Sequence, residues 1–188
     1  MQQNTPDRDN LNPNVTDPNK MAPIGGPYSN EEWKVLVETP VKVCRAMMAV
    51  SPSGAIGASK EVMAMRNSFK TTLQGTNNPT LQNLHQQLQS QERTEVLWQD
   101  VEHSFKDRWD AANVRKTAMA ACQEALVLLK RVSPQDVQAY KDFVYSTAYK
   151  VASAAKEGGF MGIGGKAISD AEMELLNDIA SALGLPRA

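Results

Sequence analysis

The sequence predicts an all-α bundle of about five to seven helices. Apolar residues recur at three- and four-residue spacing through most of the chain, and Ser-x-x-Glu capping boxes precede two of these patterns. No segment shows sustained alternation flanked by hairpin turns, so nothing argues for strands. The 188 residues are 41% hydrophobic and 22% charged with a formal net charge of -1, a composition that fits one globular domain. That balance lacks the basic excess used to bind phosphate, so nucleic acid is not expected as a partner. No apolar run approaches the roughly 18 to 20 residues needed to span a bilayer. The first residues, Met-Gln-Gln-Asn-Thr-Pro-Asp-Arg-Asp-Asn, contain no signal-type apolar segment, and the expected location is the cytoplasm.

Residues 1–28 are rich in Asn, Pro and Asp, with few large apolar side chains to offset the entropy of ordering. They read as a disordered arm in which Met21, Ile24 and Tyr28 are the candidate anchors for a partner. Residues 29–188 read as a single helical domain. Ser29 and Glu32 form a capping box for a first short helix carrying Trp33, Leu36 and Val37. Thr39-Pro40 is expected to end it and start another, because proline suits the first position of a helix and disrupts an interior one.

Cys44, Met47 and Met48 continue at helical spacing until Ser51-Pro-Ser-Gly-Ala-Ile-Gly57, and Val62, Met65 and Phe69 mark the next helix. Gln74 to Pro79 is a turn cluster, followed by a thin stripe of Leu81, Leu84 and Leu88. Trp98, Val101 and Phe105 predict a further helix from about Thr94. Met119, Cys122, Leu126, Leu129 and Val132 then predict a long one. Ser133-Pro134 with Asp136 opens the following helix, where Val137, Tyr140, Val144, Ala148 and Val151 share a side and Gly158 terminates it. Ser169 and Glu172 form the second capping box, before Met173, Leu176, Ile179, Ala180 and Leu183; Gly184 and Pro186 end that helix.

Between the last two helices, Gly158 to Gly165 holds five glycines in eight residues, interleaved with Phe160, Met161 and Ile163. Apolar side chains in so glycine-rich a stretch suggest a packed or partner-binding loop, and Phe160, Met161 and Ile163 are its candidate partner-binding residues. A nucleotide site is not expected. The glycines lack a preceding strand and a Gly-Lys-Ser/Thr ending, and Asp170 and Glu172 place negative charge where a phosphate would sit. Asp170, Glu174 and Asp178 recur every fourth residue, so their carboxylates fall on one helix face as candidate ligands for calcium or magnesium. His85 and His103 have no second His or Cys at metal-ligand spacing. Cys44 and Cys122 lie in apolar helical patterns and read as buried free thiols. No general base is paired with either, so catalytic residues are not expected.

Two stretches share a theme of a small-residue helix, a glycine loop and an acid-containing helix. One runs from Cys44 through Ser-Pro-Ser-Gly-Ala-Ile-Gly to Lys60-Glu61; the other joins Val151-Ala-Ser-Ala-Ala-Lys-Glu-Gly-Gly to Ile168-Ser-Asp-Ala-Glu and Leu183-Gly-Leu. The second resembles the helix-loop-helix of TerB-like domains associated with tellurium resistance. Those domains pair an acidic glycine loop with a Ser-x-x-Glu helix ending in Leu-Gly; here Glu157 is the offset acid, followed by an apolar insertion. The glycine loop is also similar to those of small helical bacterial proteins of unassigned function. The residues predict a non-catalytic helical module that binds another protein and uses no cofactor. The resemblance implies the alternative, a divalent-cation-binding or stress-response domain using Asp170, Glu174 and Asp178.

Overall fold

The computed structural model describes residues 27–50, 54–89, 110–154 and 168–187. These residues form six α-helices and a 3-10 turn: α1 (Asn30–Val50), α2 (Gly54–Leu73), α3 (Pro79–Gln89), α4 (Ala111–Leu128), the turn Leu129–Arg131, α5 (Pro134–Ala154) and α6 (Asp170–Ala182). The expected all-α bundle is therefore the fold. Helix α1 packs along α4 and α5, and α2 runs along α5. Helix α6 lies mainly on α4, while α3 touches α1, α2 and α5. The predicted helix around Trp98, Val101 and Phe105, the glycine loop with Phe160, Met161 and Ile163, and most of the N-terminal arm fall outside the described residues.

The helix starts follow their caps. Ser29 N–H donates to Glu32 Oε2 at 2.8 Å while Glu32 N–H donates to Ser29 Oγ at 3.3 Å. Ser169 and Glu172 repeat the arrangement at the start of α6. Asn78 Oδ1 accepts from Leu81 N–H at 3.0 Å to cap α3, and its amide nitrogen reaches Asp136 Oδ1 on α5 at 2.7 Å. Helix α6 ends in a Schellman turn: Gly184 has φ +63°, Leu185 N–H donates to Ala180 O at 2.8 Å, and Gly184 N–H donates to Ser181 O at 3.1 Å.

Thr39-Pro40 does not separate two helices. Helix α1 is continuous over 21 residues with Pro40 inside it. Proline removes the N–H that would bond the carbonyl four residues back, leaving Leu36 O without its helical partner. The Tyr140 hydroxyl of α5 donates to that carbonyl at 2.8 Å in the core. Thr39 Oγ1 donates to Val35 O at 2.8 Å and also reaches Ala121 O of α4 at 3.3 Å. The interruption is thus satisfied from neighbouring helices, which local sequence patterning does not show.

The buried face of α4 also differs from the expected stripe. Ala118, Ala121, Cys122, Ala125 and Leu128 face the core, while Met119 and Leu126 are half-buried flanks. Alanines let α1 and α4 approach closely, and their small apolar area gives a weak hydrophobic signal. Tyr28, which the sequence placed at the end of the arm, is buried against Trp33 in an edge-to-face contact of 4.9 Å. Arg131 lies over the Tyr28 ring at 6.0 Å and pairs with Glu32 at 2.7 Å.

Candidate functional site

Helices α2 and α5 run antiparallel: Phe69 stacks edge-to-face on Phe143 at 5.1 Å, and Ser68, one residue before Phe69, meets Thr147, a turn after Phe143, at 2.8 Å. One side of this pair is filled by Met65, Phe69, Phe143 and Val144. On the other, Ala64, Asn67, Ser68 and Thr71 occupy i, i+3, i+4 and i+7 of α2 and face Tyr149, Lys150, Ser153 and Ala154 of α5. Ser68 is hydrogen-bonded across to α5 at the floor, and above it these side chains leave a groove of about 490 Å³ between the two helices.

The hydroxyl groups give the floor a direction. Thr147 Oγ1 donates its hydrogen to Phe143 O at 2.8 Å, so the buried Ser68–Thr147 bond must run from Ser68 to Thr147. Ser68 is then left only with acceptor capacity, which Lys150 Nζ meets at 3.4 Å. At the walls, Thr71 donates to Asn67 O and Ser153 to Tyr149 O, each within its own helix. Their methyl and methylene groups, with Ala64 and Ala154, leave a largely apolar trough with an ammonium group at its floor. Two of the large hydrophobic side chains exposed among the described residues adjoin it: Tyr149 on its edge, at 48% exposure, and Met63 beside Ala64, at 62%.

Sequence reading missed this groove because its residues are small and polar and lie beside the Met65–Phe69 stripe. The available signal was Ser68 and Thr147 at positions that helical spacing puts toward the neighbouring helix.

The predicted acidic face is organised differently. Glu174 and Asp178 converge on Arg115 of α4. Arg115 Nη2 donates to Glu174 Oε1 at 2.9 Å and to Asp178 Oδ2, and Nε donates to Asp178 Oδ2 at 2.9 Å. These hydrogen bonds hold the guanidinium above its ordinary pKa. Asp170 stands in the first turn of α6, where its charge favours the helix dipole. The cation facing Glu174 and Asp178 is thus an arginine of the same chain. Among the described residues no group of three His, Cys, Asp or Glu side chains is arranged to hold a metal ion.

Arg115, Glu174 and Asp178 are all partly exposed. Replacing Arg115 with Gln is therefore expected to cost below about 1 kcal/mol, with the difference shrinking as salt rises. Urea denaturation at low and high salt measures it; a larger, salt-independent loss would mean that packing of the arginine stem dominates.

Cys44 and Cys122 are buried free thiols, and desolvation pushes the Cys122 pKa up to about 12 and that of Cys44 higher still. His85 is hydrogen-bonded to Gln89 at 2.9 Å. Among the described residues no helix is long and apolar enough to cross a membrane. Comparison with protein-family models, curated proteins and solved structures finds no match in any of the three.

Proposed function

We propose that this chain is a non-catalytic helical module that binds another protein along the α2–α5 groove. The observation that carries the reading is the groove itself: carbon-lined walls, a lysine held on its floor, and Met63 and Tyr149 exposed at its margin. Apolar area grouped around a concavity serves association better than isolated surface residues do. The buried thiols support a binding role over nucleophilic chemistry, since the thiolate is disfavoured in both.

Photo-crosslinking tests the reading. A benzophenone amino acid in place of Tyr149 is expected to give a discrete adduct in cells of the source organism, whereas the same group in place of Val127, exposed on α4, is not. Ala64→Trp, which fills the groove, is expected to abolish the adduct while leaving the folding stability within the range of a surface change, about 0.5 kcal/mol. Equal adducts from both positions, or an adduct indifferent to Ala64→Trp, would remove the groove from consideration.

A further inference from the structure

We infer that the occupant of the α2–α5 groove is an acidic amphipathic helix of a protein partner. The inference rests on the proposed binding role and adds the chemistry of the ligand. None of the eight lining residues is acidic, and Lys150 is the one charged group among them. Lys70 is exposed on α2 three residues after Asn67, which makes it a surface neighbour of that groove-lining residue. One wall thus carries a cation beside its edge and the floor carries a second. Glu61, on the same helix, is buried away from solvent.

The hydrogen-bond direction at the floor sharpens this. An ammonium has three N–H donors, and Ser68 accepts from one of them. Ser68 donates its own hydrogen to Thr147, so the floor binds the lysine without neutralising it. A carboxylate entering the groove meets a positioned ammonium and gains a charge-assisted hydrogen bond.

Shape selects the secondary structure of the occupant. From Ala64 to Thr71 the α2 wall extends about 10 Å, two helical turns. The small side chains of Ala64, Ser68 and Thr71 on α2 and of Ser153 and Ala154 on α5 leave room for the backbone of a third helix, and two turns admit apolar anchors at i, i+3 or i+4, and i+7. Met63, four residues before Asn67, and Tyr149 are placed to meet the apolar stripe, with Lys150 and Lys70 beside the acidic one.

The test pans a displayed library of random peptides, long enough for about four helical turns, on the full chain. Enriched sequences are synthesised and titrated calorimetrically. The inference expects net-negative peptides with apolar residues at helical spacing, whose affinity falls about tenfold or more in Lys150→Glu. It also expects binding lost in Ala64→Trp and kept in Val127→Asp. Neutral or basic ligands that Ala64→Trp abolishes and Lys150→Glu spares would overturn the acidic helix while leaving groove binding intact. Ligands indifferent to Ala64→Trp, or no enrichment, would overturn both. Two controls decide between other occupants. A concentration-dependent dimer in sedimentation, lost in Ala64→Trp, assigns the groove to a second copy. Pelleting with phosphatidylserine vesicles, lost in Lys150→Glu, assigns it to an anionic lipid surface; either result overturns the inference.

Discussion

Replacing Trp33 with alanine is expected to lower the stability of the domain by about 3 to 5 kcal/mol, a large share of a typical folding free energy. Trp33 is among the largest side chains of the core and is 1% exposed, in contact with Tyr28, which Arg131 covers in turn. Truncation removes the indole and uncovers the Tyr28 ring as well. A smaller opposing effect exists. The indole Nε1 is buried without a hydrogen-bond partner, and an unmet buried donor costs about 1 to 3 kcal/mol. Trp33→Phe removes that donor while keeping an aromatic ring, so it is expected to cost well under half as much as Trp33→Ala. Urea unfolding of the three proteins decides the matter; equal losses for Phe and Ala would show that packing around the ring is not the source of the stability.

The second large effect concerns Tyr140. Tyr140→Phe is expected to cost about 1 to 3 kcal/mol, because it strands the Leu36 carbonyl in the core with neither a helical N–H nor a hydroxyl to meet it. The same substitution in a Pro40→Ala background is expected to cost below about 1 kcal/mol, since alanine restores the N–H that proline lacks. The difference between the two losses is the coupling between a proline in α1 and a tyrosine in α5. Identical losses in both backgrounds would mean that the hydroxyl stabilises the core by some other contact.

These pairs show what was legible in the chain and what was not. Capping boxes at Ser29 and Ser169, and the cap at Ser133, involve partners three residues apart, and all three form. The helical stripes through Met65 and Phe69, and through Tyr140, Val144, Ala148 and Val151, also lie in the core, because burial of large apolar residues repeats with the helix. Pro40 misled for the converse reason: the hydrogen bond it denies Leu36 O is supplied by a residue 104 positions from Leu36. The alanine face of α4 was hidden because its contribution is close approach rather than apolar area. Acid spacing brought Glu174 and Asp178 to one face, but spacing alone did not disclose Arg115, 63 residues from Asp178. The groove was least legible, being defined by small side chains whose meaning depends on which helix lies opposite.

The bond from Tyr140 to Leu36 also sets an order of events while the chain is being made. Helix α1 emerges early, yet its partners α4 and α5 follow much later: Thr39 reaches Ala121 across 82 residues and Leu36 reaches Tyr140 across 104. At roughly 5 to 20 residues per second, ribosomal synthesis separates the last two by on the order of 5 to 20 s. Through that interval Val41, Val43, Met47 and Met48 lack the helices that bury them in the finished protein. Although every described element is local and helical, the core closes through distant partners, which slows folding relative to a bundle of sequential hairpins. The apolar face of α1 is therefore uncovered from its own synthesis until α4 and α5 have emerged.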